Sequence, residues 1–246
     1  METENKIGTG AQAEVFLSED YAIKVFRQGY EKAAIFYEAA VTSLIELTGL
    51  PIAKVREVID IQNRLAIKLD YISGKSLNNC MLEDRVNSFQ YIKQMVNIQL
   101  NIFSKTLSLP FSLKQTLKNK IEGNASIPEP VKKNLRLRLA ELQEGLQLCH
   151  GDFHGDNIIM QGDKPFIIDW VDATSGHPDG DVCRTYMLNS FYHSEIADKY
   201  LDCYCAIAKK EKCAVLKWLP VVAAASLTDN NENEKEKIQN WIETML

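Results

Sequence analysis

An α+β fold in two lobes is what this sequence predicts: a small, mostly β lobe with one long helix over residues 1–72, then a larger α-helical lobe over 73–246. Two observations carry that expectation. Up to Ile72, short β-like runs surround a single helical stretch, and from Leu77 onward the apolar spacing turns helical. A chain of 246 residues, 46% hydrophobic and 25% charged, has the composition of a globular protein with a sizeable core.

Taken in order, residues 14–17 and 21–26 read as strands, 30–47 as the long helix, and 55–61 and 65–71 as strands again. From 77 to 148 the period is helical, punctuated by Pro110, Pro128 and Pro130, and helices dominate again beyond Asp181. Between the helical stretches lies a short hairpin: Ile158-Ile159-Met160, a Gly162-Asp163-Lys164-Pro165 turn, then Phe166-Ile167-Ile168-Asp169-Trp170. The charged, Asn-rich run 229–237 reads as a solvated turn and helix start. The chain carries no internal repeat and no low-complexity linker.

Bulk features narrow the classes. The start, Met1-Glu2-Thr3-Glu4, is acidic where a secretory signal needs base, and no apolar stretch follows it, so a cytoplasmic protein is expected. The apolar run 218–227 is interrupted by Pro220 and is about half the roughly 20 residues a spanning helix needs, which makes it core and not membrane. Six cysteines form no C-x-x-C pair and no zinc spacing; reduced, mostly buried thiols are expected. A net charge of -5 argues against a nucleic-acid partner, which needs clustered Lys and Arg.

The chemistry sits in an ordered series of short motifs. Gly8 and Gly10, in Ile7-Gly8-Thr9-Gly10-Ala11-Gln12-Ala13, suit a loop whose backbone N–H groups approach phosphates, although two glycines in a hairpin are also an ordinary turn. Lys24 stands alone in the apolar run Tyr21-Ala22-Ile23-Lys24-Val25; an edge-strand lysine facing water is the plain alternative. Glu38, fourteen residues on, shares a helix face with Ala34, Val41 and Ile45, so its carboxylate needs a cation, and Lys24 is the natural one. The pair would aim an ammonium at α and β phosphates. After the 65–71 strand, backbone groups near Asp70 and Ile72 on an extended connector suit the edge of a purine, or are a simple strand exit.

The strongest signal is His150-Gly151-Asp152, with Asn157 five residues later and Asp169 seventeen residues after Asp152. Asp152 can take a hydroxyl proton as a phosphoryl group is transferred. Asn157 and Asp169 supply hard oxygen ligands for Mg2+. These residues are expected on a loop and strand edges that face a cleft, with His150 and His154 bracing the loop as neutral rings. Asp156 and Asp163 read as turn residues, and Asp172 as a neighbour of metal or substrate.

The set Gly8/Gly10, Lys24, Glu38, Asp152, Asn157 and Asp169 resembles the protein-kinase-like superfamily, and the His-Gly-Asp form is similar to its aminoglycoside phosphotransferase and choline kinase branch. The likeness covers about residues 6 to 190. It extends to Gly176-His177-Pro178-Asp179-Gly180-Asp181, where the acid matching Asp181 would start a helix and brace the catalytic loop. Asp181 follows Asp169 by only twelve positions, too few for the activation segment of a protein kinase. Trp170-Val171 replaces the usual Phe-Gly, and the chain is short for the family. The resemblance implies a bilobal kinase-like enzyme that uses ATP or GTP with Mg2+ to phosphorylate a hydroxyl of a small molecule. Aminoglycosides lead that list, followed by choline-like alcohols and sugars. Glu195, Asp198 and Asp202 either meet amino groups of such an acceptor or form a solvated helix face.

Two other classes compete. A hydrolase with a metal held by His150, Asp152 and His154 leaves the glycine loop, Lys24 and Glu38 without a role. A catalytically silent nucleotide-binding module accounts for the same motifs but not for a full set of acidic positions.

Overall fold

A computed structural model describes residues 5–192, 194–227 and 232–245 of the 246. Residues 1–4 and 229–231, part of the sequence reading, lie outside these. Packing divides the described residues into two units. One comprises the chain up to Cys80 together with Gly155–Asp172; the other comprises Met81–His154 together with the chain from Ala173 onward. The division differs from a single cut after residue 72, because the hairpin that carries Asn157 and Asp169 packs with the N-terminal sheet.

The first unit is built on an antiparallel sheet of β1 (Lys6–Thr9), β2 (Ala13–Ser18), β3 (Tyr21–Phe26), β4 (Val55–Ile61) and β5 (Arg64–Asp70), in the order β1-β2-β3-β5-β4. Successive side chains of a strand face opposite sides. On β3, Ile23 and Val25 join Ala66 on one face, while Phe26 joins Ala13, Ile67 and the helix residues Ile35 and Ala39 on the other. Those last two belong to α1 (Lys32–Glu46), which buries Ile35, Glu38, Ala39, Val41, Thr42 and Ile45. This is the i, i+3, i+4, i+7 stripe of a helix lying on a sheet. Lys24 alternates with Ile23 and Val25, so it projects from the face that α1 covers.

A second, three-stranded sheet in this unit has the order β6-β8-β9, from β6 (Lys75–Ser76), β8 (Ile158–Gln161) and β9 (Lys164–Ile167). The hairpin turn is tighter than the sequence predicts: Gly162, at φ +60°, and Asp163 suffice, and Pro165 is in the strand opposite Met160. The second strand also ends earlier, at Ile167. A parallel bridge between Ile52 and Ile167, and a 2.9 Å bond from the Ile167 N–H to the Pro51 carbonyl, fasten the hairpin to the segment before β4.

The second unit is mainly helical. It contains the last three residues of α2 (Leu77–Glu83), then α3 (Ser88–Phe103), α4 (Leu113–Gly123), α5 (Glu129–Glu141), α6 (Pro178–Tyr192), α7 (Ser194–Ala208), α8 (Lys212–Leu216), α9 (Leu219–Ala225) and α10 (Glu232–Met245). The apolar run at 218–227 contains α9, whose seven residues are all buried, with Pro220 tolerated in its first turn. Among the described residues no helix is long and apolar enough to cross a membrane. One ribbon interrupts the helices: β7 (Gln147–Cys149) pairs antiparallel with β10 (Thr174–Gly176). These strands of three residues are too short to leave a period in the sequence, and they set the positions of the residues on either side. The fold is the α+β arrangement that the sequence predicts, a β-rich N-terminal region followed by a helical C-terminal part.

The six cysteines are free thiols; Cys149, Cys183, Cys203 and Cys205 are buried, Cys80 is half-buried and Cys213 is exposed.

Candidate active site

In the first unit the predicted lysine pair forms. The Lys24 ammonium donates to Glu38 Oε1 at 2.7 Å and to Asp169 Oδ1 at 3.1 Å. Burial disfavours the Lys24 charge, but Asp169 and Glu38 outweigh it and hold the ammonium above its ordinary pKa. Burial pushes the Glu38 carboxyl up, against the pull of Lys24. The Lys24 ammonium also lies 5.7 Å from the centre of the Phe26 ring.

Asp169 reaches Lys24 because the backbone leaves the strand register after Ile167. The Ile168 N–H bonds the Asn157 carbonyl at 3.0 Å, which extends the β8–β9 ladder by one step beyond the Ile158–Ile167 pair. Asp169 then takes φ +63°, the left-handed region that costs a non-glycine residue about 1 kcal/mol or more. Asn157 and Asp169 thereby occupy the same end of one hairpin. Trp170 follows, fully buried, its indole N–H donating to the Ile167 carbonyl at 3.2 Å. Asp156 is more than a turn residue: Ser76 and Asn78 both donate to its carboxylate at 3.1 Å. A carboxamide and a carboxylate at one hairpin end are hard oxygen donors and fit a divalent cation such as Mg2+.

At the glycine turn, the Gly10 N–H donates to the Ala13 carbonyl at 2.8 Å, and the Gln12 side chain accepts from Tyr30 at 2.6 Å. Ala13 is buried against Phe26, Ile35 and Ile67. A Cβ on Gly8 or Gly10 would meet its neighbours only at 3.6 Å, so the fold does not itself exclude side chains there. At the connector, the Asp70 N–H donates to Lys54, and its carboxylate takes two bonds from Arg56 at 2.6 and 2.9 Å. Ile72, beyond the strand, is half-buried.

In the second unit the His150-Gly151-Asp152 turn leaves β7 and is clamped from α6. Asp181 accepts the Gly151 N–H at 2.7 Å and the His150 N–H at 3.2 Å, which is the bracing role that the resemblance implies. Acid in the first turn of α6 also suits its positive end. Gly151 needs its φ of +83°, and Arg184 donates through Nε to its carbonyl at 3.1 Å. The Asp152 N–H donates to His150 Nδ1 at 3.2 Å. The buried His150 ring thus faces the backbone of its own turn through Nδ1. Burial pushes the Asp152 carboxyl up, but His154, 3.5 Å away, and Arg184 prevail and hold it down at about 2.

Sequence reasoning missed the support behind Asp181. Gln99 on α3, fully buried, donates to Asp181 Oδ2 and to Thr185, each at 3.1 Å, and accepts from the Tyr200 hydroxyl. A polar residue on an otherwise apolar helix stripe was the available signal. The acids after Arg184 are a solvated face: Glu195 pairs with Lys199 at 2.6 Å, Asp202 pairs with Lys212, and Asp198 is exposed. The metal cluster that the hydrolase reading needs is absent. His150 Nδ1 is committed to a backbone amide, and among the described residues no group of three or more His, Cys, Asp or Glu is placed to hold a metal ion.

Comparison with known proteins shows what the chain is similar to. Residues 110–216 match the family model described as "Phosphotransferase enzyme family". Aminoglycoside phosphotransferase APH(4)-Ia is similar in structure, with a TM-score of 0.71 at 13% identity over 98% of this chain and 92% of that one; it is also known in a ternary complex with ADP and hygromycin B. Choline kinase LicA from Streptococcus pneumoniae follows at 0.67 and 17% identity, over 99% and 94% of the two chains. Amicoumacin kinase hAmiN, solved with AMP-PNP, Ca2+ and Ami, gives 0.63 at 13% identity, over 99% and 88%. No curated protein sequence matches the chain. The chain therefore resembles aminoglycoside phosphotransferases and choline kinases, and shares their protein-kinase-like fold.

Proposed function

We propose that this chain is a small-molecule kinase, which transfers the γ-phosphoryl group of ATP to a hydroxyl of an aminoglycoside or a similar amino alcohol or sugar. The observation that carries the reading is the Lys24 ammonium shared by Glu38 and Asp169, side chains 14 and 145 positions away in sequence. A half-buried cation held by two carboxylates is costly to build for stability alone. It suits a site where phosphate charge is to be offset.

In this reading Lys24 faces the α and β phosphates, the backbone of the Gly8–Gly10 turn covers them, and the connector at Asp70 and Ile72 takes the adenine edge. Asn157 and Asp169 would hold Mg2+, which supplies charge neutralisation at the phosphate oxygens when bound. Asp152 orients the acceptor hydroxyl. The new O–P bond forms, the bond from the γ phosphorus to the bridging oxygen breaks, ADP leaves with that electron pair, and the acceptor proton passes to Asp152. A carboxyl held at about 2 is a weak base. It fits a loose transition state, in which the proton moves late.

The ligands of similar structures support the substrate class: hygromycin B with ADP in one, AMP-PNP with Ca2+ in another. GTP as donor and a cytoplasmic location belong to the same reading. Replacing Asp152 by Asn tests it. Calorimetric affinity for Mg·AMP-PNP should stay within about twofold while transfer falls roughly 10³-fold, the scale of a lost general base; near-normal transfer would remove Asp152 from this role.

A further inference from the structure

We infer that Arg184 is a positioning residue for Asp152: it fixes the peptide that enters the base and sets the charge in front of one of its carboxylate oxygens. The inference rests on the phosphotransferase reading for its consequence, and on the second unit's own geometry for its substance.

The guanidinium is largely buried, with its side chain 18% exposed. Each of its nitrogens has its own partner. Nε donates to the Gly151 carbonyl at 3.1 Å, one terminal nitrogen donates to Ser226 Oγ, and the other lies 4.0 Å from Asp152 Oδ1. Ser226 is anchored in turn, its hydroxyl donating to the Val222 carbonyl at 2.9 Å. An arginine paired with a carboxylate commonly takes it in two parallel bonds, as the exposed Arg56 takes Asp70 at 2.6 and 2.9 Å. Arg184 instead directs its bonds to a backbone carbonyl and a hydroxyl, and its carboxylate neighbour is the proposed base.

Asp181 and Arg184 are three residues apart, hence on one face of α6. Asp181 takes the N–H of Gly151 and Arg184 takes its carbonyl, so both polar ends of a glycine at φ +83° are held by one helix. The distance of 4.0 Å to Asp152 is too long for a hydrogen bond. There Arg184 acts through its charge. His154 stands at 3.5 Å from the opposite oxygen, Oδ2, and His150 binds the backbone N–H of Asp152. Between two cationic or donating groups the carboxylate stays ionised and its direction is fixed.

Arg184→Met, with Arg184→Lys beside it, tests the assignment by two readouts. The first is carboxyl 13C NMR titration of Asp152 in the full chain. Methionine should move the midpoint up by roughly one pH unit, and lysine, which keeps the charge, by less. The second is slow hydrolysis of MgATP without an acceptor. Its kcat should fall at least tenfold in the methionine variant with KM for ATP within about twofold, and lysine should restore part of it. A midpoint that does not move in folded Arg184→Met, or an unchanged kcat, overturns the assignment. If methionine prevents folding, the lysine variant decides: an intact kcat refutes the positioning of Gly151, since a lysine lacks the Nε–H that holds it. A wild-type protein that neither binds nor hydrolyses MgATP would refute the phosphotransferase reading, while the NMR arm still decides the coupling of Arg184 to Asp152.

Discussion

Lys24 illustrates how far single residues could be read. Its strand, its helix partner Glu38 and the distance between them were all legible, because alternation on β3 and the 3.6-residue period of α1 leave only one face for both. Its bond to Asp169 was not legible, since no spacing rule connects positions 145 apart. Lys24→Ala leaves the Glu38 carboxylate, 8% exposed, without its cation. Glu38 is already pushed up by burial and will rise further, so the variant gains stability in acid and loses it as pH rises through the folded value of Glu38. Thermal melts should show a gap to wild type that is wider at pH 8 than at pH 5; a gap independent of pH would contradict the pairing. Turnover should suffer more than folding does. For Asp169→Ala, calorimetry should show Mg·AMP-PNP affinity reduced about tenfold or more, and unchanged affinity would count against its metal role.

The elements that carry the site are held by close approaches as much as by their strand and helix propensities. Gly74 precedes β6, and a Cβ there would lie 2.1 Å from the Met160 carbonyl oxygen of β8. Backbone cannot yield that far cheaply, so Gly74→Ala should pull β6 from the hairpin and cost about 2 kcal/mol or more in chemical denaturation. A cost below about 0.5 kcal/mol would mean that the strands can part freely. Sequence reading found the hairpin from its apolar runs but placed the turn too wide, because Pro165 signals a turn unless it occupies a strand position whose N–H is not required. It missed β7 and β10 altogether. Their pairing is set by tertiary contact, and three residues leave no alternation to detect. The support of Asp181 by Gln99 and Tyr200 was hidden for a similar reason, since it joins helices about 80 to 100 positions apart.

At the scale of the whole chain, the discontinuous division has a dynamic consequence. The hairpin of β8 and β9 packs with the N-terminal sheet although it is flanked in sequence by residues of the helical unit. Native-state hydrogen exchange should therefore give its amides the opening free energy of β3 and β5, and exchange in step with α3 and α6 would contradict the division. The proposed reaction is phosphoryl transfer from ATP to a small-molecule hydroxyl. Its most direct test is mass spectrometry of acceptors incubated with the protein and MgATP, across amino sugars and small amino alcohols. The account predicts an acceptor that gains the mass of one phosphoryl group with wild-type protein and not with Asp152→Asn. A wild-type protein that binds MgATP and phosphorylates nothing across that panel would contradict it.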